Sequence, residues 1–341
     1  MINNKALLGI LFFITSLGSV YSCTSNKDSN IDDRQLKTAR VVGYLASDNF
    51  NKMTSIQFCK LTHLNVAFAN PDKNGNIIFT GDIDALVKYA KSVNPNIIIS
   101  ISLAGGVISE EQSTNWSLLI DKPENRPALI QNIINFVELH HLDGVDVDLE
   151  WNAVTVGYSG FVIELKKSLF EHKKIMTAAL PNNTRFENIS AEALNAFDFL
   201  NIMAYDSTGP WTPNNPGQHS SFEFAKNGIE FWHKLQNVPS EKLTLGVPFY
   251  GYNFTYPNVT SSTYGQIVEA GKQFAELDEL GKIYYNGRLT ISKKVEYAAQ
   301  NTGGIMIWEL AQDSFDEYSL LEVIHQKYKS LKIKTTNLCG N

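Results

Sequence analysis

No stretch of this 341-residue chain is long enough and free enough of charge to cross a membrane as a stable helix. The longest apolar run, "ALLGILFFITSLGSVY" after Lys5, has the length and flanks of a secretory signal. Positive charge is also short: 29 Lys and Arg stand against 35 Asp and Glu, a net charge of −6. With no basic tract, nothing in the bulk electrostatics draws the chain to DNA, RNA or an anionic bilayer, so no nucleic-acid partner is expected. There is no zinc-type Cys/His spacing, no phosphate loop and no internal repeat, and neither a metal nor an organic cofactor is expected. Cysteine is scarce, with three in all.

What remains is an ordinary globular composition, 43% hydrophobic and 19% charged. The signal ends in "SVYSC", and Ser22 before Cys23 resembles the lipobox of bacterial lipoproteins, with Val20 where that pattern prefers Leu. The chain therefore divides into a signal (1–22), a polar tether (23–39), a folded body (40–332) and a tail (333–341). It is expected to be exported across the inner membrane and held at the cell envelope by lipid on Cys23, its only link to a membrane. Cys59, in the apolar setting "IQFCKLTHLNVAF", reads as a buried free thiol, and a disulfide to Cys339 in the tail is left open.

Eight short apolar runs recur: "VVGYL", "LTHLNVAFA", "NIIISIS", "LDGVDVDLE", "KIMTAAL", "FDFLNIMA", "LTLGVPFY" and "GIMIWEL". Helical patterns such as "IDALVKYAKSV", "RPALIQNIINFVELHH", "YSGFVIELKKSLFE", "SFEFAKNGIEFWHKLQ", "ISKKVEYAAQN" and "YSLLEVIHQKYKSL" lie between or after them. Buried strands alternating with helices predict a parallel α/β sheet, and eight units predict a single-domain (β/α)8 TIM barrel. The alternative, an open doubly wound sheet, lacks its Gly-rich fingerprint after the first strand. Barrel chemistry sits at the C-terminal strand ends. By this reading the ends are Ser102 for the third strand, Asp148 and Glu150 for the fourth, Met203, Tyr205 and Asp206 for the sixth, Tyr250 for the seventh and Trp308 for the eighth.

In "HLDGVDVDLEW", Asp146, Asp148 and Glu150 alternate with Val147 and Leu149, so on a strand the three acids share one face. Three adjacent carboxylates drive one another's pKa values apart. "DGVDVDLE" resembles the D-x-x-D-x-D-x-E signature of glycoside hydrolase family 18, the chitinases and related endo-N-acetylglucosaminidases. "LTHLNVAFA", "SLAGG", "MAYD", "GVPFYG" and "GGIMIWEL" resemble further family motifs in the family's order.

The resemblance implies an enzyme that hydrolyses β-1,4 bonds of N-acetylglucosamine glycans with help from the substrate's own acetamido group. Glu150 would be the general acid, Asp148 the partner of the acetamido N–H and of the positive intermediate, and Asp146 would share a proton with Asp148. Tyr205 would hold the acetamido carbonyl and Trp308 would be the floor under the cleaved sugar. Asp206 and Met203 would border the cleavage point, with Tyr250 and Trp211 as subsite walls. Ser102 and Tyr44 would support Asp146, and Asp143 would be a structural turn carboxylate. Two positions depart from the family pattern: Ala104 stands where Gly is usual, and Tyr252 stands where many chitinases have Arg, removing a donor from the groove. Tyr252 to Thr302 is too short for the full α+β insertion domain of many chitinases. The alternatives are an endo-β-N-acetylglucosaminidase acting on N-glycan cores and, from another class, a non-catalytic carbohydrate-binding protein. Such binding proteins usually lack the acid that Glu150 supplies.

Overall fold

Strands whose residues are buried along nearly their whole length can form only where both faces are covered, and eight segments meet that condition. In a computed structural model, which describes residues 38–255, 258–335 and 339, they are β1 (Arg40–Ala46), β2 (His63–Pro71), β3 (Ile98–Gly105), β4 (Gly144–Leu149), β5 (Ile175–Pro181), β6 (Phe199–Met203), β7 (Leu243–Pro248) and β8 (Gly304–Trp308). All pair in parallel in chain order, and β1 pairs with both β2 and β8, which closes a (β/α)8 barrel.

The main helices are α1 (Ile83–Val93), α2 (Glu110–Ile120), α3 (Arg126–Leu139), α4 (Tyr158–Glu171), α5 (Ala191–Ala196), α6 (Phe222–Glu230), α7 (Tyr264–Ala270), α8 (Arg288–Asn301) and α9 (Leu320–Ser330). The periodicity of α1 and α4 matches the observed bounds. α2 was not anticipated, because its first half, "EEQSTN", is polar and carries no apolar repeat. A capping box between Ser109 and Gln112 starts it. The pattern read as one helix through Gln236 instead leaves α-geometry at Glu230 and finishes in a π turn, Phe231–Leu235.

The apolar core has two compartments. The larger lies between strands and helices, while a smaller one inside the barrel holds Val42, Tyr44, Ala67, Phe199, Tyr205, Tyr250, Tyr252 and Met306. The segment after β7 is a reduced insertion: four short antiparallel strands, Tyr250–Asn253, Thr260–Thr263, Glu279–Leu280 and Ile283–Tyr284, with α7 beside them.

Cys59 is not a free thiol. It forms a disulfide with Cys339, Cα to Cα 5.4 Å, and the tail is further held by a bridge between Thr38 and Lys334. Sequence could not reveal this, because the two cysteines are 280 residues apart and only barrel closure brings them together. Cys23 and the signal lie outside the described residues.

Candidate active site

β4 alternates as its sequence requires: Val145, Val147 and Leu149 pack into the outer core, and Asp146 and Asp148 are buried on the other face. Asp146 lies level with Ser102 on β3 and Thr177 on β5. Its carboxylate accepts hydrogen bonds from Ser102 Oγ (2.7 Å), Tyr44 Oη (2.7 Å), Thr177 Oγ1 (2.5 Å) and Asn201 Nδ2 (3.3 Å). Asn201 is itself oriented by Thr244 Oγ1 at 2.7 Å. Burial pushes the Asp146 pKa up, while four donors favour its charge.

Asp148 is treated differently. Burial, Glu150 and Asp146 together hold its pKa well above the usual carboxylate range, and its Oδ1 is buried with no hydrogen-bond partner among the described residues. Of the two aspartates, Asp148 is therefore the one that holds a proton. Its orphaned oxygen is a group the fold alone does not satisfy.

Glu150 follows the end of β4. Burial, and then the charge of Asp206, raise its pKa to about 7. The backbone of Gly106 closes over it, so that a Cβ there would lie 2.7 Å from Glu150 Oε1.

Asp206 has a left-handed backbone (φ 67°) and accepts from Tyr250 Oη (2.5 Å) and Tyr252 Oη (3.0 Å), with His219 Nδ1 at 3.3 Å. Tyr252, where an arginine donor was expected to be missing, thus supplies a donor to Asp206. Among the described residues Tyr205 Oη has only a weak contact, to Met306 Sδ at 3.7 Å, and Met203 packs beside the same interior cluster. Trp308 is half-buried, stacked on Phe68 (centroids 5.4 Å, 19°) and tilted against Tyr44. Trp211 is exposed and meets the Tyr252 ring edge-on at 5.7 Å.

Two expected placements change. Ser102 is not at the end of the third strand, since β3 continues to Gly105, and its interior position is what lets it reach Asp146. Tyr250 lies beyond β7, on the first short strand of the insertion. Asp143 sits at the other end of β4, paired with Lys91 and accepting from the Ile99 amide, away from the other acids. Ala104 and Gly105 both have positive φ (73° and 84°), which explains the usual glycine: Ala104 carries roughly 1 kcal/mol of strain there.

Sequence reasoning missed Thr177, Asn201, His219 and Gly106. For Thr177 and Asn201 a signal existed, a lone polar residue inside the apolar runs "KIMTAAL" and "FLNIM". For Gly106 the signal was its place in "SLAGG", and for His219 there was none.

The crystal structure of a GH18 chitinase, ChiB, from the chitin utilization locus of Flavobacterium johnsoniae is 77% identical, with a TM-score of 0.88 over 89% of this chain and 98% of that one. A chitinase from Bacteroides thetaiotaomicron is 29% identical, with a TM-score of 0.74 over 85% of this chain and 96% of that one. Among curated relatives, Probable chitinase 10 of Drosophila melanogaster is 25% identical over 294 residues, 66% of this chain, which spans 13% of that longer protein. The model for "Glycosyl hydrolases family 18" matches residues 40–313, the whole barrel with its acid-bearing strand, and the chain belongs to that family.

Proposed function

We propose that the protein hydrolyses β-1,4 bonds between N-acetylglucosamine units, in chitin or its soluble oligomers, by a retaining mechanism that uses the substrate's acetamido group. The observation that carries this reading is the orphaned Oδ1 of Asp148 beside a glutamic acid poised near neutrality. An ordinary two-carboxylate glycosidase needs its second acid as a nucleophile or base. Here the second acid is buried and protonated, fit to meet an amide rather than to attack a sugar.

Glu150 gives its proton to the glycosidic oxygen as the C1–O bond breaks. The acetamido carbonyl oxygen forms the new bond to C1, and Tyr205, whose hydroxyl has only a thioether partner, steadies it. As the cation forms, Asp148 passes its proton to Asp146, and the Asp148 carboxylate then accepts the oxazolinium N–H and meets its positive charge. Glu150, now a carboxylate, takes a proton from water as that water attacks C1 and the bond from C1 to the acetamido oxygen breaks, which restores the acetamido group and releases the β-anomer. Trp308 supplies the flat floor, and the exposed Trp211 a wall of the groove.

Digesting N-acetylglucosamine oligomers, colloidal chitin and a high-mannose glycoprotein side by side tests the substrate. Oligomers cleaved with the glycoprotein untouched is the expected result, and release of an intact N-glycan with oligomers untouched would overturn it. Early α-anomer in the proton NMR spectrum would refute the mechanism. The insertion is small, so weak action on crystalline chitin is expected.

Removing the neighbouring charge in Asp206→Asn takes away one of the two causes that hold Glu150 near pH 7. The alkaline limb of kcat/KM should then move to lower pH, and a limb that stays in place contradicts this coupling. In Gly106→Ala the nearest atoms to the new methyl all belong to the end of the Glu150 side chain, so the acid is displaced before the barrel is. A fall in kcat of about 10-fold or more is expected with an almost unchanged melting temperature.

The protein is further proposed to be an envelope lipoprotein anchored through Cys23, on the strength of the "SVYSC" pattern. Mass spectrometry of the membrane fraction should find a lipidated N-terminal Cys23.

A further inference from the structure

Lys294, on α8, is fully buried and forms no ion pair with a carboxylate among the described residues. Its ammonium has three donors and uses all of them on neutral oxygens: Ser220 O (2.7 Å), Ser220 Oγ (2.7 Å) and Asn286 Oδ1 (2.6 Å). Burial pulls its pKa down to about 7, against a weaker pull upward from Asp278. An amine placed there at such a cost of desolvation calls for a reason beyond packing, since an apolar side chain would fill the space more cheaply.

The reason lies on the far side of Ser220. Ser220 Oγ donates to Ala204 O at 2.6 Å, and the Ser207 amide donates to His219 O at 3.0 Å. The 219–220 segment is thus bonded on one side to Lys294 and Asn286, and on the other to the 204–207 segment that carries Tyr205 and Asp206. His219 completes the link. Its Nε2 faces the Tyr250 carbonyl at 3.3 Å, while Nδ1 faces Asp206 Oδ1 at 3.3 Å. The ring is wholly buried, 5.0 Å from those of both Tyr250 and Tyr252. Asp206 keeps its left-handed backbone only because its surroundings hold it there.

We infer that Lys294 is a positioning residue for hydrolysis: through Ser220 and His219 it holds Tyr205 and Asp206 in register with Glu150. The inference rests on Glu150 being the acid. The titratable groups in play are Asp148 and Asp206 around Glu150, His219, Tyr250 and Tyr252 around Asp206, and Asp278 near Lys294.

The test compares wild type with Lys294→Met and Ser220→Ala on a soluble N-acetylglucosamine oligomer, measuring kcat, KM, the pH profile of kcat/KM and the melting curve. Lys294→Met should lower kcat about 10-fold or more with KM changed less than about twofold. Its alkaline limb should move to lower pH, as in Asp206→Asn, and the double variant should show no further shift, because both changes act through one carboxylate. A lower melting temperature with the limb unmoved, or shifts that add, overturns the inference. If Lys294→Met does not fold, Ser220→Ala is read in the same way, since it keeps the lysine and cuts the link to Ala204, and an unmoved limb there overturns the inference as well. A wild-type enzyme without an alkaline limb near neutrality instead removes the reading of Glu150 on which it rests.

Discussion

Glu150→Gln is expected to lose about 10³-fold in kcat while melting at least as high as wild type and binding N-acetylglucosamine oligomers with similar affinity. The amide keeps the shape of the carboxyl but has no proton to give to the glycosidic oxygen. Glu150 is suited to the task because burial and the Asp206 charge raise its pKa to about 7, so near neutral pH a substantial fraction carries the proton and the conjugate base still activates water. Single-turnover kinetics with calorimetric binding of an oligomer checks both halves. Activity near wild type removes Glu150 from the acid's role.

Asp148→Asn should cost about 10²–10³-fold in kcat, because an amide, unlike the protonated carboxyl, cannot pass a proton to Asp146 and become the anion that meets the positive charge of the cyclic intermediate. Its effect on stability has the opposite sign. The folded-state pKa of Asp148 is raised by burial, Glu150 and Asp146, so its favourable contribution is complete below the ordinary carboxylate pKa and is lost as pH rises through the raised value. Glu150, raised to about 7, adds a loss of the same sign. The wild-type melting temperature should therefore fall as pH climbs from the ordinary carboxylate range past 7, and the slope should be shallower in Asp148→Asn. Melting curves across that range decide it. A steeper slope in the variant, or full activity, contradicts the charge assignment of the pair.

Much of the site was legible because it is local. Asp146, Asp148 and Glu150 sit within five residues, and alternation alone puts the two aspartates on the inner face of β4. Tyr205 and Asp206 follow directly on the end of β6 in the same way. Harder to read were residues whose role depends on a partner far along the chain. Tyr44 and Ser102 were set against Asp146 by the family resemblance alone, since Tyr44 reaches it from 102 residues away and Ser102 lies inside a strand that runs on to Gly105. His219 and Lys294 lie in a loop and a helix with no motif to mark them.

By itself the sequence determined the eight apolar runs that become the barrel strands and the acid-bearing face of β4, because burial and side-chain alternation are written into short stretches of chain. The tertiary structure alone decided which aspartate holds the proton. That choice depends on donors from four different strands converging on Asp146 and none satisfying Asp148 Oδ1. It likewise decided that Cys59 pairs with Cys339, and that a buried ammonium stands behind Tyr205 and Asp206. The physical reason is common to all three: a side chain's charge state and partners are set by the distances that chain closure creates, and those distances are not encoded in any short stretch of sequence.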